Sequence, residues 1–228
     1  IDGALKIDAS FDAARSSRIF SVFMTDIGEA VMMPRLLRTL QTIAPNVGIN
    51  IESIPRRGIQ ESMISGDVDL AVGLFEGLSG GFFEQLLYRD EFVCIANTEH
   101  PTVKDTLSLQ QFSTLPHVVV SSSGTAHEVG IERTIAKQRI KRPVAMTVSH
   151  FLTLPVVISQ TDTIGTVPRN LALSFTNPTN IKLLKPPLKL PTIDIKQHWH
   201  ERYHYDPANR WLRGVFLELF LGRKPPKT

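Results

Sequence analysis

Strand-like and helix-like stretches alternate along nearly the whole chain, and this constrains the fold more than any other feature. Short apolar runs are each followed by a segment with apolar residues every three or four positions, the pattern of βαβ units. The first runs from Arg18 to Met24. After a break at Thr25-Asp26-Ile27-Gly28, Ala30 to Ala44 reads as a helix with Leu36, Leu40 and Ile43 on one face. Pro34 fits that helix only if it lies near its first turn. A strand over Val47 to Ser53, a short helix over Ile59 to Ser65 closed by Gly66, and the compact run Asp69 to Leu74 complete one doubly wound unit.

The rest of the chain repeats this grammar without repeating the sequence. Phe82 to Asp90 and Glu91 to Ala96 read as extended, and the turn-rich stretch Asn97 to Asp105 reads as a boundary. A second unit follows, with strands at His117 to Ser121, Val144 to Val148, Thr163 to Val167 and Ile181 to Leu184. Between them lie helices at Leu107 to Phe112 (capped by Thr106 or Ser108), Ala126 to Gln138, Leu154 to Gln160, and a short one from Pro168-Arg169-Asn170. The last strand, Thr192 to His200, and the amphipathic helix Ala208 to Leu221 have no partners of their own, so they are expected to return to the first half. The expectation is an α/β fold of two Rossmann-like lobes joined by two crossovers. Lobe I takes residues 18–96 and 195–222, lobe II takes 97–194, and 223–228 form a basic, Pro-rich tail.

Composition removes several alternatives. With 42% apolar residues there is ample material for a core, which excludes disorder. The single cysteine, Cys94, excludes a disulfide scaffold and sits in an apolar strand as an inert core thiol, in keeping with a cytoplasmic protein. No run reaches the roughly 18 to 20 apolar residues of a membrane helix. The balance of 25 Lys and Arg against 22 Asp and Glu, a net +3, invites a nucleic-acid reading but is a weak field unless clustered. Arg133, Lys137, Arg139, Lys141 and Arg142 do cluster, but Glu128 and Glu132 accompany them and read as a solvated helix face. No helix-turn-helix pair is present in these residues.

In open α/β sheets ligands sit at the carboxyl ends of strands. This singles out the loops after Met24, Leu74, Ser121, Val148 and Val167. Thr25 and Asp26 at a helix start could bind an anion or, with Asp26 as its own cap, simply close the helix. The loop Ser121-Ser122-Ser123-Gly124-Thr125 offers similar chemistry in the other lobe. His127 and His150, both next to strand-to-helix loops, could bond a ligand hydroxyl or carboxylate, or be ordinary surface histidines. His198, His200 and His204 lack the further ligands a zinc site requires, so no metal is expected. No G-x-S-x-G elbow, H-E-x-x-H or Walker loop is present, and no enzyme activity is expected.

The ordered set of motifs resembles the effector-binding part of LysR-type transcriptional regulators. Closest in pattern is the subgroup controlling degradation of naphthalene via salicylate, nitrotoluenes and chlorophenols. The matching residues are Met24-Thr25-Asp26-Ile27-Gly28-Glu29 with Met33-Pro34, Val68 to Leu74, Gly81-Phe82-Phe83, Phe92-Val93-Cys94, His100-Pro101, His150-Phe151, Thr166-Val167-Pro168, and Trp199-His200 through Leu219-Phe220.

The resemblance implies a periplasmic-binding-protein-like (type II) pair of lobes with a small aromatic effector in the cleft. It implies no cofactor, and self-association as dimers of effector domains within tetramers. DNA would be bound only through an N-terminal part outside this sequence, with residues 1–17 a remnant of the linker. It further implies effector contacts at Thr25, Asp26, Ile27, Val31, Met32, Asp90, Gly124, His127, His150 and Ile195. The sequence departs from the subgroup in carrying Asp90 where a histidine stands, and Val31 and Met32 where aromatic rings stand. A carboxylate facing the cleft would disfavour a carboxylate ligand. The implied effector is therefore a substituted or halogenated phenol ahead of a salicylate-like acid. A solute receptor of a transporter, sharing the fold, is the alternative.

Overall fold

The computed structural model describes residues 11–52, 58–75, 77–120, 126–175 and 180–221, and of 126–128 the backbone alone. Residues 1–10, the loop 121–125 and the tail 222–228 lie outside the described residues.

The first sheet has the order β2-β1-β3-β10-β4. Its strands are β1 (Ile19–Phe23), β2 (Gly48–Glu52), β3 (Leu70–Gly73), β4 (Phe82–Asp90) and β10 (Ile193–His200). The second has the order β7-β6-β8-β5-β9. It is built from β5 (Phe92–Asn97), β6 (His117–Val120), β7 (Val144–Val148), β8 (Ile164–Pro168) and β9 (Ile181–Leu184). In each, three strands run parallel: β2, β1 and β3 in the first, and β7, β6 and β8 in the second. The crossover strands join antiparallel, β10 between β3 and β4, and β5 between β8 and β9.

The α/β class and the two-lobe arrangement follow the sequence reading, and the last strand does return to the first sheet. The expected division of lobe I as 18–96 needs correction. β5 was placed in lobe I but hydrogen-bonds wholly within the second sheet, so the chain changes sheet across the single residue Glu91. Ile193 and Asp194, expected in lobe II, pair with Asp90 and Arg89 of β4. The turn-rich stretch after Asn97 marks a loop, whereas a change of sheet needs only one residue out of register. β5 is buried from Phe92 to Ala96, as a central strand must be. Phe92, Cys94 and Ala96 join one apolar cluster and Val93 and Ile95 the other, in the period-two manner of a strand covered on both faces.

The helices are α1 (Asp26–Ile43), α2 (Ile59–Ser65), α3 (Leu109–Thr114), α4 (Ala126–Lys137), α5 (Thr153–Ile158), α6 (Arg169–Ser174) and α7 (Pro207–Phe220). α1 begins four residues before the expected Ala30, and Pro34 falls inside it rather than near its start. Lacking an N–H, Pro34 leaves the carbonyl of Ala30 without its usual helical donor. α3 starts at Leu109, two residues later than expected. Ser108 caps it through a reciprocal box in which its hydroxyl accepts from Gln111 N and the Gln111 side chain accepts from Ser108 N. α2 closes on Gly66 at φ +94, where a Cβ would stand 2.7 Å from the Arg202 guanidinium.

A polar network seats α7 on the first sheet. The Asp206 carboxylate caps α7 by accepting from Asn209 N at 2.6 Å, and Asn209 Nδ2 donates to the Asp69 carbonyl at 2.7 Å. Asp69 Oδ2 accepts from Ser21 N of β1, and Arg18 pairs with both Asp69 and Asp206. Phe11 packs on Trp211 and edge-on against Phe20, drawing the segment before β1 onto the same face.

Candidate functional site

The lobes meet where the first turn of α1 faces the loop before α5 and the start of α6. Sequence dictates this in two steps. β1 ends at Phe23 and Thr25 turns the chain, extended at φ −81 and ψ 166 without capping through its hydroxyl. Asp26 is then the first helical residue, where a carboxylate suits the positive end of the helix dipole.

Asp26 does not cap its own helix. Its Oδ2 accepts from the backbone N–H of Leu152 at 3.0 Å, a hydrogen bond from lobe I to lobe II. Ile27, 5% exposed, leaves the first lobe's core for the apolar cluster of the second, with Val93, Phe151, Leu154 and Leu171. One helical turn on, Val31 packs against both clusters, and α1 packs against α6. Thr25, Asp26, Ile27 and Val31 are thus brought together at the lobe junction.

Met32 is different. At 1% exposure it joins Leu36 and Leu40 at i, i+4, i+8 in the first lobe's core, which takes it off the expected cleft wall. Ile195, 6% exposed, lies on β10 in that same cluster, opposite Tyr88 and beside a register irregularity at Lys196.

Asp90 ends β4 at the point where the chain leaves the first sheet, and it is 5% exposed. Its Oδ1 accepts from Glu91 N at 2.8 Å and its Oδ2 from Asn170 N, in the first turn of α6, at 3.3 Å. Burial raises its pKa above the ordinary carboxylate value, while these two backbone donors and the Asn170 side chain act in the opposite direction. Both oxygens are therefore engaged, and Asp90 acts as a second strut between the lobes.

His150 is exposed at the rim, and its carbonyl accepts from Thr153 N, while Phe151 beside it is buried. Gly124 lies outside the described residues. His127 is the second residue of α4, and its side chain is likewise not described.

Asn170 was missed by sequence reasoning. It is 9% exposed, its backbone N–H holds Asp90, and its buried side-chain amide lies beside the Asp90 carboxylate, with no other acceptor in reach among the described residues. The only clue in the sequence was positional: Asn170 follows Val167 and Pro168, at a strand end already singled out. A buried amide donor with so few acceptors around it can offer a bond to an incoming oxygen.

The histidines of the last strand are occupied otherwise. His198 lies edge-on to Phe75 at 5.4 Å, and burial lowers its pKa to about 4. His204 stacks on Phe83 and accepts from Trp199 Nε1 at 3.2 Å. Among the described residues no group of three or more His, Cys, Asp or Glu is arranged to hold a metal ion. No helix of the described residues is long and apolar enough to cross a membrane.

Comparison with known proteins agrees with this architecture. Residues 13–221 match the LysR substrate binding domain. The chain is 40% identical over 217 residues to the HTH-type transcriptional activator NagR of a Ralstonia species, covering 95% of this chain and 72% of that protein. Against the HTH-type transcriptional activator NahR of Pseudomonas putida it is 37% identical, with the same coverage. Its fold superposes on the regulatory domain of MexT, a transcriptional activator of Pseudomonas aeruginosa, with a TM-score of 0.77 at 23% identity, covering 89% of this chain and all of that one. These relatives are transcriptional regulators and not enzymes. The chain belongs to the LysR-type transcriptional regulators, as their effector-binding domain.

Proposed function

We propose that the junction between the lobes binds a small aromatic effector, a substituted or halogenated phenol ahead of a salicylate-like acid. The observation that carries this reading is the convergence of Asp26, Ile27 and Val31 of one lobe with Leu152, Phe151 and Asn170 of the other. Apolar walls supply the contact area for a ring, and the buried Nδ2 of Asn170, beside the Asp90 carboxylate, supplies a donor for an oxygen. The carboxylates of Asp26 and Asp90 disfavour a second carboxylate. The resemblance adds Thr25, Gly124, His127, His150 and Ile195 to the contacts.

An effector held between the lobes shifts their arrangement only by its differential affinity for the alternatives. In the proposed cytoplasmic regulator that shift passes through dimers of effector domains, within a tetramer, to a DNA-binding part outside this sequence. Titration calorimetry with 2,4-dichlorophenol and with salicylate tests the reading. Saturable phenol binding is expected, weakened about tenfold or more in His127→Ala at an unchanged unfolding midpoint, as for loss of a hydrogen bond to a charged or polar ligand group. Salicylate binding without phenol binding would overturn the effector class, and unchanged affinity in His127→Ala would remove that residue from the site.

A further inference from the structure

A second hollow lies beside the two segments that carry the chain between lobes. Its volume is about 540 Å³, within the range of small-molecule pockets. The outgoing crossover contributes Glu91 and Phe92 to its wall, and the returning one Pro191 and Thr192. Phe92, Leu188 and Leu190 give it apolar surface. Arg169 stands at its edge, with its backbone N–H donating to the Glu91 carbonyl and its guanidinium 3.5 Å from the Glu91 carboxylate.

Two cations remain. Lys185 and Lys189 are exposed on the strap between β9 and β10, and among the described residues neither ammonium group has a hydrogen bond or ion pair. Pro186 and Pro187 between them fix φ where the strap bends, at Pro187 and Leu188. A neighbouring hollow of about 590 Å³ shares both lysines with the first and adds Asp105 at its far side. Around the first hollow the positive groups Lys185, Lys189 and Arg169 outnumber the single carboxylate of Glu91.

We propose that this hollow is a binding site for a small amphipathic organic anion, a carboxylate bearing an apolar chain or ring, separate from the junction of α1 with α6. The carboxylate sits against Lys185 and Lys189, and the apolar body lies over Phe92, Leu188 and Leu190. A neutral ligand would leave both ammonium groups without a counter-charge, and a bare inorganic anion would leave the apolar wall in contact with water. Because both crossovers line the hollow, an occupant that favours one lobe arrangement changes affinity at the junction, and the coupling is reciprocal.

Methyl-resolved NMR of the 228-residue chain, titrated with octanoate and in parallel with 1-octanol, tests this. Saturable shifts of the Leu188 and Leu190 methyls are expected with octanoate. The double variant Lys185→Gln/Lys189→Gln should bind it about tenfold more weakly, with an unchanged unfolding midpoint since both side chains are exposed. Wild-type binding of 1-octanol should fall by a similar factor. The proposal is overturned if octanoate shifts only methyls at the junction, such as those of Ile27 and Val31, or shifts none. Equal octanoate affinity in the double variant would overturn it as well.

Discussion

His117 and His198 show how burial turns a titratable side chain into a structural one. His117, fully buried, sets Nε2 2.7 Å from the Phe112 carbonyl, and Arg142 approaches its Nδ1 at 3.3 Å. That arrangement suits a neutral ring with Nε2–H donating and Nδ1 accepting. Burial holds both histidines at a pKa of about 4. A depressed folded-state value contributes stability above the unfolded pKa near 6.5 and loses it as pH falls towards 4. At about 1.4 kcal/mol per unit, each contributes up to about 3 kcal/mol. Urea unfolding of the wild type should therefore weaken steadily between pH 6.5 and 4. His198→Phe should make that decline shallower, because it removes a ring that takes up a proton more readily in the unfolded chain than in the buried site. Asp90 has the opposite sign. Its raised pKa favours the folded state most below the ordinary carboxylate value of 3.8, and this contribution is lost as pH rises through the folded value. The stability difference between wild type and Asp90→Asn should narrow from pH 4 to pH 7 in the same assay. Nothing in the sequence names Asp90's partner, since Asn170 stands eighty residues away and meets it only when the second lobe has formed.

Among the elements, α1 carries most of the junction. Its apolar spacing was legible from Leu36 onwards, but its first turn was not. Thr25-Asp26-Ile27-Gly28 has the composition of a break, and only lobe II explains why Asp26 and Ile27 are helical. Ile27 loses its water against Phe151 and Leu171, and Asp26 finds its donor in Leu152. Ile27→Ala is expected to cost about 2–4 kcal/mol in chemical denaturation, as for other large-to-small changes in a packed interior. Asp26→Ala should cost about 1 kcal/mol, the loss of one hydrogen bond, and small-angle scattering should show a wider spread of lobe arrangements. The same limit applies to β5. Its apolar run announced a buried strand, but membership of a sheet is a long-range property. It was decided by pairing with Ile164–Pro168 and with Ile181–Leu184, not by anything in residues 92–96.

At the scale of the whole molecule, the two-lobe architecture and the return of the last strand were legible because they follow from counting strands and helices. β10 had no helix–strand partner after it except α7, and Asp206, Asn209 and Arg18 fasten that helix to the first sheet. The strand ends that meet at the lobe junction were legible, whereas the placement of Met32 and Asn170 depended on which way one helix face and one amide turned. The two lobes are joined by crossovers and by the struts of Asp26 and Asp90, so a ligand at the junction acts on contacts that already span it. Hydrogen–deuterium exchange with and without saturating 2,4-dichlorophenol tests this most directly. The account predicts added protection in residues 24–31, 150–152 and 169–171, at the junction, and none in the first-lobe surface turn at residues 200–205. Protection confined to residues away from the junction, or no change at saturation, would contradict it.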